Sequence, residues 1–404
     1  MKYFHRLLEG ALSSRVSRQK IRLLLGARQT GKSTLLAHLV PKQATVIDLQ
    51  DSERRLEFER RPRAFTELLL GKGGARHTVV IDEIQRVPAL LDEVQWLFDR
   101  YGKRFEFFLT GSSARKLRAS SSNLLPGRSH VHHIYPILQT ERGVKSQILP
   151  VPAKLSAPLF PTRGLNDLLL YGSLPGIILE KPESACRSLQ GYAELYLEEE
   201  IRREGLVRDV GAFSRFLELA ALESGKTMNL AKLSNQSGVP VTTLRLYYQV
   251  LVDTFVGYWL EPFTKSGRKR LLTTPKFFLF DLGVRNAAAR LDPTENLLRL
   301  QGGELLEHWV GLELIHRVRT LGPGYRVGFW RTVGGAEIDF VLETPKEVIP
   351  IEVKWTDKPS VYDAQHLERF IRDVPESKRG FVVCRTREPR RLADRIQAVN
   401  WESL

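Results

Sequence analysis

The chain has 404 residues, 42% hydrophobic and 26% charged, with a formal net charge of +15 and two cysteines. That length exceeds one ordinary core and predicts roughly two to four domains. The two cysteines, Cys186 and Cys384, exclude a disulfide framework and lack metal-ligand spacing, and no apolar run is long enough to span a membrane. The excess of positive charge favours polyanionic partners, nucleic acid first and an acidic membrane surface second. The start Met1-Lys2-Tyr3-Phe4-His5-Arg6 lacks the apolar core of a signal peptide, so a cytoplasmic protein is expected.

The first strong element is the apolar run Ile21 to Leu25, a buried strand. Gly26-Ala27-Arg28-Gln29-Thr30-Gly31-Lys32-Ser33 follows, and Thr34 continues into a helix. Strand, glycine loop and helix are the setting in which G-x-x-x-x-G-K-[ST] binds the phosphates of ATP. The glycines let backbone N–H groups face phosphate oxygens, and the helix start adds partial positive charge. Lys32 is expected on the β/γ-phosphates and Ser33 on Mg²⁺. Thr78-Val79-Val80-Ile81-Asp82-Glu83 reads as a buried parallel strand with acids at its C-terminal edge. Asp82 is expected to hold Mg²⁺ through water, and Glu83 to orient or deprotonate the attacking water. A third run, Phe105 to Leu109, ends in Thr110-Gly111-Ser112-Ser113, where Ser112 or Thr110 supplies a hydroxyl near the γ-phosphate. Arg128 precedes a strand predicted over 131–135, a placement that suits an arginine finger acting between subunits of a homo-oligomer.

Four domains are expected: an α/β nucleotide-binding core over 1–160, a helical region over 161–225, a winged helix over 226–285 and an α/β domain over 286–404. Prolines at 150, 152, 158 and 161 mark the first boundary. Residues 196–203 read as an exposed structural helix with a Glu198–Arg202 pair. Leu230 to Leu251 reads helix, glycine turn, helix. Two strands follow over 255–262 and 271–279, with the basic tip Lys265-Ser266-Gly267-Arg268-Lys269-Arg270 between them. A DNA reading puts Thr242, Thr243 and Arg245 in the major groove and the tip on phosphates. Further basic clusters stand at 202–203, 317–319 and 385–391.

Toward the C-terminus, strands are predicted over 336–343 and 348–354 around a turn at Pro345, after an amphipathic helix over 304–314. A hairpin would bring Asp339 close to Glu352 and Lys354, which share one strand face. Glu307 on the helix, Asp339, and Glu352-Val353-Lys354 have the layout of PD-(D/E)xK nucleases. There the acids hold Mg²⁺ and the lysine assists the attacking water. Cross-strand charge pairing gives the same pattern without catalysis, and a nuclease-like fold that only binds is a third reading.

The chain resembles prokaryotic AAA-type ATP-binding proteins with a C-terminal domain of unknown function. The matching stretches are residues 26–33, Ile81 to Gln85, Leu109 to Arg115 and Gly127-Arg128, then Gly172 to Pro175, Tyr196 to Ile201, Pro275-Lys276-Phe277 with Asp281, Leu306-Glu307, Glu337 to Phe340 and Ile351 to Lys354. The resemblance implies an AAA-like ATPase core, a winged helix and a restriction-endonuclease-like C-terminal domain. Ala27 stands where the family often has proline. The expectation is an ATPase whose nucleotide state controls a DNA-binding, nuclease-like half. The alternative is an ATP-driven switch that binds DNA or a protein and cleaves nothing.

Overall fold

A computed structural model describes residues 2–73, 76–102, 104–119, 127–150, 155–197, 209–264, 274–332 and 334–404. Outside these lie the basic tip 265–270, Arg202-Arg203 and the Glu198–Arg202 pair. The chain forms two compact units: Met1–Tyr135 with Leu155–Pro158 and Asp253–Phe255, and Pro136–Lys154 with Leu159–Val252 and Val256–Leu404.

The first unit is built on a parallel sheet of β1 (Ile21–Leu25), β2 (Thr45–Asp48), β3 (His77–Asp82), β4 (Phe105–Gly111) and β5 (Ser129–His133), in the order β2-β3-β4-β1-β5. Central parallel strands are covered on both faces, so they read as continuous apolar runs. All five residues of β1 are buried, Arg22 included. Its guanidinium lies 3.8 Å from the Phe108 ring centroid and pairs with Glu106. One face carries Leu23, Val79, Ile81, Phe107 and Leu109, and the other Leu24, Val80 and Phe108. The last strand begins at Ser129 rather than at the predicted Val131, because Ile21 pairs with Ser129 and Leu25 with His133. The connecting helices include α1 (Leu8–Ser13) and α2 (Lys32–Leu39).

The second unit opens with helical segments, including Leu165–Tyr171, Pro182–Gly191 and Val210–Leu222. The helix Leu230–Ser237 is capped by Asn229, whose Oδ1 accepts from Lys232 N at 3.0 Å. It ends at Gly238 with φ +70°, the left-handed geometry that favours glycine after a helix. The helix Val241–Asp253 follows, with Thr242 and Arg245 exposed and Thr243 half-buried. Next come β6 (Gly257–Leu260) and β7 (Lys276–Leu279), an antiparallel pair shorter than the predicted strands.

A 27-residue helix, Glu295–Leu321, leads into the second sheet. It starts well before the predicted Glu304 and runs through Gly302-Gly303, because Trp355 packs on Gly302. A Cβ there would stand 2.5 Å from Trp355 Cε2. The sheet holds β8 (Arg326–Arg331), β9 (Glu337–Glu343), β10 (Val348–Val353), β11 (Gly380–Cys384), β12 (Arg390–Ala393) and β13 (Ile396–Asn400), in the order β12-β13-β11-β10-β9-β8. Strands β8, β9 and β10 form an antiparallel meander. The helix Gln365–Asp373 then crosses over to β11, which runs parallel to β10. Ile338, Val341, Leu367, Phe370 and Val382 fill the core between that helix and the sheet. Arg317, expected on a basic surface, is 1% exposed, and its Nη2 donates to Leu149 O at 2.9 Å. A carbonyl left by irregular backbone thus takes the charged donor inside.

Candidate nucleotide site and a second carboxylate group

The turn after β1 brings Gly26 to Thr34 into one loop and the first turn of α2. Gly26 passes too close to β5 for any side chain: a Cβ would stand 2.5 Å from Ile134 O. Gln29 at φ +61° and Gly31 at φ +92° bend the loop over the start of α2. Thr30 Oγ1 donates to Ala27 O at 2.8 Å, closing the loop on itself. Lys32 is buried, and its ammonium donates to Gly26 O at 2.9 Å and Ala27 O at 3.0 Å. Gln29, Ser33 and Thr34 are exposed, while Arg28 and Gly31 are half-buried. Buried Arg6, which the sequence did not single out, holds the loop from outside through Thr30 O at 2.8 Å and Tyr135 O at 2.7 Å.

The C-terminal ends of β3 and β4 face this loop. Ser33 Oγ donates to Asp82 Oδ2 at 2.8 Å, and the Thr110 hydroxyl donates to the other carboxylate oxygen of Asp82. Glu83 has φ +60°, costly for a residue with a Cβ and a mark of a constrained site. Its N–H donates to Thr110 Oγ1 at 3.0 Å. Its buried carboxylate accepts from Ser112 Oγ at 2.9 Å and from the Gln85 amide. Gln85 Nε2 also reaches Ser112 Oγ at 2.9 Å. The structure therefore brings Lys32, Ser33, Asp82, Glu83, Thr110 and Ser112 together, and adds Gln85 as the link between Glu83 and Ser112. The two hydroxyls expected near the γ-phosphate orient the two acids. Arg128 does not join this group. Its carbonyl accepts from Ile21 N at 2.9 Å, at the end of β1 away from the loop, and its Nε pairs with Asp99 at 2.6 Å on the surface.

In the second unit, the register of β9 and β10 sets Asp339 beside Glu352. Asp339 Oδ2 accepts from Val353 N at 2.8 Å, and Lys354 Nζ donates to Glu352 Oε1 at 2.7 Å. The other oxygen of Glu352 is buried without a partner. Burial, then the charges of Glu307 and Glu352, push the Asp339 carboxyl well above the usual range, and burial raises Glu352 too. Glu307 turns to buried Lys276 on β7, 3.1 Å away, and Lys276 also meets Glu337 at 3.0 Å. Among the described residues, the three acids Glu307, Asp339 and Glu352 do not bring ligand atoms within 4.8 Å of one another. His5, Glu9 and His38 do. That last group is tied internally by a 2.8 Å contact of His5 Nδ1 with Glu9 and by Tyr3 stacked on His38.

Residues 18–142 match a family described as an AAA domain, residues 162–295 a domain of unknown function (DUF8612), and residues 302–404 another (DUF4143). Residues 18–142 are thus similar to AAA-type ATPase domains. An uncharacterized protein of Mycobacterium tuberculosis is 27% identical over 345 residues, covering 85% of this chain and 72% of the relative. One of Haemophilus influenzae is 24% identical over 366 residues, covering 86% and 85%. Among solved structures, a DNA polymerase III gamma subunit-related protein of Thermotoga maritima is 10% identical with a TM-score of 0.26, covering 62% of this chain and 99% of that one. No helix among the described residues is long and apolar enough to cross a membrane.

Proposed function

We propose that the chain is a cytoplasmic Mg²⁺-dependent ATPase whose nucleotide state controls a DNA-binding, nuclease-like C-terminal half. The observation that carries the ATPase reading is the 2.8 Å approach of Ser33 Oγ to Asp82 Oδ2. That contact sets a hydroxyl and a carboxylate, both hard oxygen donors of the kind Mg²⁺ takes, side by side at the phosphate loop. Ser33 and Asp82 would hold Mg²⁺, which neutralises charge developing on the phosphates. Lys32 and the loop 26–31 bind the triphosphate. Glu83 takes the proton of the attacking water or orients it, with its carboxylate fixed by Ser112 and Gln85. Arg128 of a neighbouring copy supplies positive charge to the γ-phosphate, which makes a homo-oligomer the working form. Lys32→Ala is expected to abolish ATP turnover by the purified protein, and unchanged hydrolysis by that variant would overturn the reading.

The nuclease-like reading is supported by an acid on the long helix, Asp339 on β9 and Glu352-Val353-Lys354 on the neighbouring β10. The orphaned Glu352 oxygen suits a cation, and Lys354 stands ready to assist a water. Exposed Thr242 and Arg245 on the second helix after Gly238 support contact with DNA. A second reading, an ATP-driven switch without cleavage, is favoured by one observation: Glu307, Asp339 and Glu352 do not converge on a common ligand centre among the described residues. Incubation with single- and double-stranded DNA and RNA, Mg²⁺ or Mn²⁺, with and without ATP, separates them. Cleavage lost in Asp339→Ala supports the nuclease. Salt-sensitive binding without cleavage supports the switch.

A further inference from the structure

The failure of Glu307 to converge with Asp339 and Glu352 has a visible cause. Lys276 opens β7 and is 4% exposed, with its ammonium 3.1 Å from Glu307 and 3.0 Å from Glu337. It also stands 5.3 Å from the Phe329 ring centroid. A buried ammonium with such neighbours is a fixed cation. On the other side of Asp339, Glu352 is paired on one oxygen only; it is 7% exposed, and its second oxygen has no partner.

Four carboxylates, Glu307, Glu337, Asp339 and Glu352, thus face two ammonium groups, Lys276 and Lys354. The carboxylates outnumber the ammonium groups by two, and with all four ionised, as they are when they ligate a metal, one divalent ion balances them. Arg331 touches only the outer oxygen of Glu337 at 3.9 Å and is half exposed, so solvent screens it.

We propose that Lys276 is a built-in cation that occupies the place of a second divalent ion, so that this carboxylate group takes one divalent metal, at Asp339 and Glu352, and not two. The inference rests on the metal-site reading above and specifies it: the group is built for one-metal chemistry, and Lys276 sets the ion count. Removing the ammonium frees Glu307 and Glu337 to ligate, with Asp339 available to bridge.

The test is a Mn²⁺ titration of the full-length, nucleotide-free chain, with free Mn²⁺ read by electron paramagnetic resonance. An Asp82→Asn, His38→Ala background keeps the nucleotide site and the His5–Glu9–His38 group out of the count. One ion per chain is expected, lost on Asp339→Asn. Lys276→Met should bind two, and adding Glu307→Gln should return the count to one. Lys276→Gln, which keeps a polar end, should behave as Lys276→Met and guards against a folding artefact, with circular dichroism as the check. One ion in both Lys276 variants, with native circular dichroism, overturns the inference while the metal reading stands. Two ions with Lys276 in place overturn it as well. No ion in any form overturns the metal reading itself, and the inference with it.

Discussion

Gly26→Ala is the most direct probe of how the nucleotide loop is seated. The added Cβ would stand 2.5 Å from Ile134 O and 2.8 Å from Ile134 Cγ2, nearly 1 Å short of the 3.4 Å at which ordinary contact begins. Ile134 cannot simply retreat, because its N–H donates to Leu25 O at 2.9 Å and carries on the β1–β5 pairing. Either the end of β5 or the loop must move. Forced overpacking of this kind costs about 1–3 kcal/mol of stability. A displacement of ~1 Å in a group that positions substrate costs on the order of 10²-fold in rate. The loop carries Lys32 and Ser33, so ATP turnover should fall about 100-fold, more than ATP affinity does. Steady-state hydrolysis, nucleotide titration and urea unfolding measure the three quantities. Ile134→Ala added to Gly26→Ala removes the methyl contact but not the carbonyl contact, so recovery should be partial. Turnover within twofold of the parent, with stability within about 0.5 kcal/mol, would refute the seating argument.

The other expectations concern the acids. Glu83→Gln keeps an acceptor for Ser112 and Gln85 but cannot take a proton. Nucleotide binding should persist while single-turnover hydrolysis drops roughly 10²–10⁴-fold, and a loss below threefold would remove Glu83 from that role. Asp281 is fully buried, caps the helix Leu282–Ala288 and accepts from Ser173 N at 2.7 Å. Burial raises its carboxyl from 3.8 to about 6. The native state therefore keeps a proton that the unfolded chain has lost, so this group's contribution to stability falls as pH rises from about 4 to 6, by about 3 kcal/mol. Urea unfolding of the parent and of Asp281→Asn across that window gives the difference, and a flat difference would contradict the burial argument. Glu313, raised to about 7 by its own burial, extends the same fall toward neutrality.

What the sequence could reveal was what is local. The loop 26–33, Asp82-Glu83 and the runs of β1, β3 and β4 are contiguous, and their chemistry follows from residue type and spacing. The Asp339 and Glu352-Val353-Lys354 strands were legible because a short hairpin fixes their register. Long-range pairings were not. Lys276 meets Glu307 across 31 residues of chain, and although Pro275-Lys276-Phe277 is a stretch that matches the family, its residue types alone do not show that the lysine is buried against acids. Arg317 looked like one more surface charge, yet it serves carbonyl groups 168 and 167 residues away. Gln85 lay inside a motif stretch, but only the left-handed turn at Glu83 shows that its amide ties that acid to Ser112.

The strand order has a consequence for synthesis. Strand β1, the most buried of the first sheet, is made early and has no sequence-adjacent partner: its neighbours are β4 and β5. Arg22 waits for Glu106, 84 residues later. At about 5–20 residues per second, a growing chain carries an unpaired, largely apolar β1 edge for roughly 4–17 seconds. During that time the strand is a template for unwanted pairing with other chains. The buried Arg22 near its start, charged and unmatched until β4 arrives, is the one residue of the strand that opposes such pairing. An Arg22→Leu chain should therefore aggregate more during expression.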